Sequence, residues 1–203
     1  GPVVPETIAS NRVACYAFHG ESSAACVYNL SDERTAVTDR WDDGNYPWGY
    51  YQFHHHFIAH DTHRAALTMR IINWGIAVLL LGGIAALMPS SFLRRGYVVA
   101  MAAAWTPMGI YFIASNNPSS WAFSGVLAFA AGLWSAANSE GWRRWSLMGG
   151  AAIGALLACT SRADAAFFLF VVSAALIFAV RWRRDRWPEG LLALLASIIG
   201  ILI

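Results

Sequence analysis

Residues 1–64 and 65–203 follow different patterns. In the first stretch apolar positions are scattered among polar ones, and Pro2, Pro5, Gly20, Gly44 and Pro47 break it up. No run there is long enough to cross a bilayer, so it reads as a loop segment. Beyond it, apolar runs alternate with short polar breaks: Ile71–Met88, Gly96–Ser115, Trp121–Asn138, Trp145–Cys159, Ala165–Val180 and Leu191–Ile203. Each is about fifteen to twenty residues long, the scale of a membrane helix. At about 1.5 Å per residue the first three reach across comfortably. The fourth and fifth are shorter and read either as two passes or as a tilted or re-entrant hairpin around Thr160–Asp164. The pattern predicts an all-α, polytopic membrane fold with about five or six transmembrane helices behind the 1–64 loop segment. Ile203 lies inside an apolar run and position 1 is Gly, so the chain reads as an excerpt of a longer protein.

Composition agrees with the pattern. Of 203 residues 57% are hydrophobic and 13% charged, with a mean hydropathy of +0.45, against about one quarter charged in soluble domains. The net charge of +2 is too small to point to a nucleic-acid partner, and no basic arm or zinc-finger spacing accompanies it. All fourteen basic residues are Arg, and their placement predicts orientation. Arg94 and Arg95 follow the first run, Arg143 and Arg144 the third, and Arg181, Arg183, Arg184 and Arg186 the fifth. Basic residues in short loops stay on the cytoplasmic side. The intervening breaks, Asn116–Ser120 and Thr160–Asp164, hold only Arg162, so they and the N-terminal segment are expected outside, in a multi-pass protein of the cell membrane. The simplest role for the Arg pairs is as topological markers.

Candidate chemistry lies on the outer side. Cys15 and Cys26 share the N-terminal segment; in an oxidising compartment they are expected to pair, a closure that contributes about 3 kcal/mol. Cys159 has no partner in sight and reads as a small packing residue. The segment Trp41–Tyr51 combines Asp42 and Asp43 with turn formers and five aromatics. It reads as an interfacial aromatic belt with a solvated acidic turn, or as a sugar or lipid-phosphate site. In the second reading Trp48 and Tyr50 pack on a sugar ring, and Asp42 or Asp43 accepts a proton from an attacking hydroxyl or holds a divalent cation. His54, His55, His56, His60 and His63 form a second cluster in which His56, His60 and His63 share a helical face. That spacing permits a metal, although neither HExxH nor CxxC is present. Asn116–Trp121 reads as a helix cap with Pro118 in the first turn. At Thr160–Asp164, Arg162 and Asp164 sit at the edge of hydrocarbon, where charges need partners; they form either a local ion pair or a grip on a phosphate. Topology brings Asp42, Asp43, Asn117, Arg162 and Asp164 to one face, and they are expected to share one outer cavity.

Several segments resemble one family. Asn45-Tyr46-Pro47-Trp48-Gly49-Tyr50-Tyr51, Met69-Arg70-Ile71-Ile72-Asn73, Ala114-Ser115-Asn116-Asn117-Pro118-Ser119-Ser120-Trp121-Ala122 and Ser161-Arg162-Ala163-Asp164-Ala165-Ala166 occur in the order seen in the actinobacterial membrane proteins catalogued as domain of unknown function 2142. Val4-Pro5-Glu6 and the Cys15–Cys26 stretch look like that family's outer loop. Trp48 stands where many relatives have Pro, and the His54-His55-His56 run is unusual. The family's arrangement is similar to that of the C-type glycosyltransferases, which use polyprenyl-phosphate sugars outside the cytoplasm. The resemblance implies a catalytic carboxylate in the first outer loop, borne either by Asp42 or Asp43 or by an acidic motif upstream of Gly1. It implies a polyprenyl-phosphate sugar and the lipid bilayer as partners, no established cofactor, and a role in cell-envelope glycan assembly. The competing expectation is a non-catalytic membrane scaffold or lipid-carrier transporter component.

Overall fold

A computed structural model of the chain describes residues 3–5, 35–37, 47–59, 61–104, 106–180 and 184–202. Cys15, Cys26, Asp42, Asp43 and His60 lie outside the described residues, so the expected disulfide and the acidic turn do as well. Of the N-terminal segment, Val3–Pro5 (β1) and Thr35–Val37 (β2) pair antiparallel with Val3 opposite Val37. The rest is helical: α1 Trp48–His55, α2 Thr62–Leu87, α3 Ser91–Ala104, α4 Pro107–Ile113, α5 Ser119–Ala137, α6 Gly141–Cys159, α7 Ala163–Ala179, a 3-10 turn Arg184–Arg186, and α8 Trp187–Leu202.

The all-α membrane architecture is as the sequence pattern predicts, but fewer helices qualify as spans. Two, α2 and α5, are long and apolar enough to cross a membrane; α3 and α4 together make a third if the bent pair is one span. The run Gly96–Ser115 was expected to cross as a single helix, yet its two parts lie at 94° to one another. Pro107 opens α4 at its first turn; its ring and missing N–H cannot continue a preceding helix. α7 and α8 are apolar but short, and α6 opens with Arg143 and Arg144.

The tightest pairing is α5 against α6. These helices run antiparallel through a three-residue connection, and glycine brings their backbones into contact. A Cβ on Gly125 would stand 2.5 Å from the Gly154 carbonyl oxygen, and one on Gly132 3.0 Å from the Leu147 carbonyl and the Ala151 nitrogen. Ala128, Ala136, Ala151 and Ala158 complete a seam with no exposed surface. Apolar chains gain little by leaving lipid for one another, so close backbone packing of small residues supplies the association. Phe129, Leu133 and Leu169 fill the centre beside Cys159, a buried free thiol in the packing role expected of it.

Where α2 ends and α5 turns into α6, three of the arginines make specific contacts. Arg94 donates to the carbonyls of Ala85, Ala86 and Met88, satisfying the open end of α2. Arg144 forks onto Glu189 of α8 at 2.5 and 2.7 Å and also reaches the Asp185 carbonyl. Arg186 donates to the carbonyls of Ser139 and Ala136 and lies 3.7 Å from the same carboxylate. We call this the Glu189 end; the other is the Thr160 end.

Candidate functional site

At the Thr160 end, α1 closes on the connection between α6 and α7. Tyr50 N–H donates to the Thr160 carbonyl at 3.0 Å, and any side chain at Gly49 would collide with that of Thr160. The helix then presents Tyr50 and His54 to Asn73 of α2 and Trp121 of α5. Asn73, 2% exposed, uses its whole amide. Its Oδ1 accepts from Trp121 Nε1 at 3.0 Å and faces His54 Nε2 at 2.9 Å. Its Nδ2 donates to the Ser115 carbonyl at 2.9 Å and to the Tyr50 hydroxyl at 3.2 Å. The Trp121 and Ser115 bonds together fix which way the amide points. His54 stacks on Tyr50 with ring centroids 4.0 Å apart and turns Nδ1 to the Tyr50 carbonyl at 2.9 Å.

This buried hub joins α1, α2, α5 and Ser115 in the turn after α4. A polar group left unmatched there would cost its desolvation. Burial holds His54 below its ordinary pKa of 6.5; the Tyr50 carbonyl and Asn73 pull the other way and lose. Burial also raises the Tyr50 phenol, against the Asn73 hydrogen bond.

Two residues beyond Thr160, which Gly49 contacts, the backbone brings Arg162 to the start of α7. Its Nε and Nη2 each donate to one Asp164 oxygen at 2.8 Å, and Nη1 donates to Ser119 Oγ at 3.2 Å. The local ion pair, one of the two alternatives left open by the sequence, therefore forms. Its two side chains are 33% and 55% exposed. They do not point simply to solvent: Arg162, Asp164 and Ser119 stand at one edge of a cavity of about 470 Å³ between α4, α5 and α7. The rest of its wall is apolar and includes Phe112, Phe123, Val126, Leu127 and Phe168. A second hollow of about 400 Å³ begins at the same Leu127 and runs past Ala131 and Trp134 to Ser135, with Tyr97 and Met101 of α3 opposite.

The expected site residues thus separate. Arg162 and Asp164 meet at the cavity edge. Asn117 is exposed, with its Oδ1 taken by the Ser119 N–H at 2.9 Å; it shapes the start of α5 and is not among the described residues lining the cavity. Tyr50 is locked in the hub, and Trp48 is exposed at the start of α1. His54 faces inward, whereas His56 turns Nδ1 to the Gln52 carbonyl. Among the described residues no three His, Cys, Asp or Glu side chains gather as a metal would require. Reading the sequence for chemistry passed over Asn73, Trp121 and Ser119. Asn73 carried a signal: it is the one amide within the run Ile71–Met88, and polar side chains inside membrane helices normally have a partner or a function.

Fold and site together define an α-helical membrane protein with two or three candidate spans and a polar, charge-bearing edge on an apolar cavity. The chain belongs to the family of predicted membrane proteins described as domain of unknown function 2142, which matches residues 2–203. No curated protein and no solved structure matches it.

Proposed function

We propose that the chain is a glycosyltransferase-like protein of the cell envelope that binds a polyprenyl-phosphate sugar from the membrane. The observation that carries this reading is the apolar cavity edged by Arg162, Asp164 and Ser119: a greasy wall suits a polyprenyl chain, and a guanidinium at its edge suits a phosphate. In this reading residues 1–64 are extracytoplasmic, closed by a Cys15–Cys26 disulfide, and α6, α7 and α8 complete five or six passes as short or tilted spans. Asp42 or Asp43, directly or with a divalent cation, takes the proton from an acceptor hydroxyl. The hydroxyl oxygen attacks the anomeric carbon, the bond from that carbon to the phosphate oxygen breaks, and the departing lipid phosphate keeps the electron pair beside Arg162. Asn117 shapes the loop above, and Trp48 offers its ring face to the sugar.

The test is sugar transfer from a short-chain polyprenyl-phosphate donor by the full chain in nanodiscs. The Asp42→Asn, Asp43→Asn double variant is expected to lose about 10²-fold or more in rate while retaining donor binding. Donor binding without transfer by the wild-type protein, under every acceptor tried, would instead support a non-catalytic lipid-carrier transporter or scaffold, which the same cavity also suits.

A further inference from the structure

At the Glu189 end, the start of α3 carries two adjacent cations with no anion to match them. Arg64, Arg144, Arg162 and Arg186 each lie beside a carboxylate. Arg94 and Arg95 stand together without one among the described residues, and the chain contains no Asp or Glu between Asp61 and Glu140. Arg94 is nonetheless held in place. Its Nε and Nη2 donate to the carbonyls that end α2. Those carbonyls are neutral, so they orient the guanidinium and leave its full charge available. Nη1 of Arg94 and every donor of Arg95 are free of hydrogen bonds to the described residues.

Both arginines line an exposed hollow of about 540 Å³ along α3, together with Ser91, Val98 and Val99. Spacings of three and four residues put these side chains on one face of the helix. That face is polar at one end and apolar at the other, where Val98 and Val99 are 57% and 68% exposed. The direction of the gradient is set by α2, one of the two helices long and apolar enough to cross a membrane. Arg94 reaches the carbonyls at the end of α2, whereas the Tyr97 hydroxyl reaches that of Leu81, further back along it. α3 therefore runs back beside the span. Its arginines stand at the end of the span, at the level of headgroups, and its valines lie about one turn deeper, toward hydrocarbon.

Two cations beside an exposed apolar face complement a lipid with a negatively charged headgroup. We propose that Ser91, Arg94 and Arg95 bind the phosphate of an anionic phospholipid whose acyl chain lies on Val98 and Val99. Arg94, fixed by α2, and Arg95 share the phosphate oxygens, and the Ser91 hydroxyl donates a further bond. A zwitterionic phospholipid would bring its own ammonium to a patch that already holds excess positive charge. Arg143 opens α6 at the same end and is exposed, with its guanidinium 6.0 Å from the Trp142 ring centroid, but it does not line this hollow. It therefore separates a built site from general surface charge. The site is independent of the polyprenyl reading, which concerns the Thr160 end.

The experiment measures binding of dioctanoyl phosphatidylglycerol and dioctanoyl phosphatidylcholine to the full chain in neutral detergent by native mass spectrometry. The phosphatidylglycerol probe is expected to bind more tightly by about tenfold or more. Arg95→Gln should weaken it about fivefold, the effect of one basic residue near an anionic surface, while Arg143→Gln leaves it unchanged. Because Arg95 is exposed and holds no other residue, the thermal midpoint of Arg95→Gln should match that of the wild type. Equal binding of the two probes overturns the preference for negative charge. An equal loss in Arg95→Gln and Arg143→Gln would mean diffuse attraction and overturns the site. Displacement of the probe by glycerol phosphate at equal concentration assigns the patch to a soluble phosphate and overturns the lipid.

Discussion

Each end of the helical bundle holds an arginine forked onto a carboxylate, and the two pairs do different work. At the Glu189 end, Arg144 and Glu189 are 14% and 0% exposed, tie α6 to α8, and are joined by Arg186. At the Thr160 end, Arg162 and Asp164 are neighbours in sequence, 33% and 55% exposed, and border an apolar cavity. The chemistry is the same and the surroundings differ. A buried pair joining two helices fixes the fold, because either charge left alone is stranded away from water. The exposed pair lies within one turn, with Arg162 also reaching Ser119 of α5, and it borders a cavity. The Thr160 end leaves its structural task to an uncharged assembly, the Asn73 hub, which pins α1 over the connection leading to Arg162.

That contrast is most easily broken at Glu189. Glu189→Ala removes the carboxylate that Arg144 forks onto, leaving Arg144 the Asp185 carbonyl and Arg186 its Asp185 and carbonyl partners, and is expected to cost about 3 kcal/mol, read as a lower midpoint in thermal or SDS unfolding of the detergent-solubilised protein. Loss within error would mean that α8 is held by its apolar face alone.

A smaller effect is expected from acid at the hub. Burial lowers the folded pKa of His54 from 6.5, outweighing the Tyr50 carbonyl and the Asn73 Oδ1 that both face its ring nitrogens and favour the protonated form. The corresponding stability is fully present above pH 6.5 and is lost as pH falls below 6.5 toward the folded value, because protonation then favours the unfolded chain. Between pH 7.5 and 5 the wild type should lose more thermal stability than His54→Gln, and equal slopes would assign the acid sensitivity elsewhere.

The smallest effect is expected at the exposed pair. Asp164→Ala should shift stability by only about 0–1 kcal/mol, measured in the same unfolding assay as Glu189→Ala. A shift comparable to that variant's would show the Thr160-end pair to be a second structural anchor and erase the distinction between the two ends.

The sequence by itself determined the class of protein. Six apolar runs and a scarcity of charge leave only an all-α membrane fold, since helices satisfy their backbone hydrogen bonds within one segment; the quoted motifs also led to the family. Pro107 was visible but its consequence was not, because a proline in an apolar run is compatible with both a kinked span and a sharp bend. The glycine seam was likewise legible in principle: Gly125 and Gly132 lie seven residues apart, as do Leu147 and Gly154, though spacing does not name the opposite helix. Tertiary structure alone decided which polar groups meet. Arg144 and Glu189 are separated by 45 positions and Asn73 and Trp121 by 48, and no local propensity encodes such a pairing. The Arg162–Asp164 pair, two residues apart, was one of two alternatives legible in the sequence, whereas its place at the edge of an apolar cavity was not. That cavity exists only because α4, α5 and α7 pack around it, and a cavity is a property of several helices that none of them specifies alone.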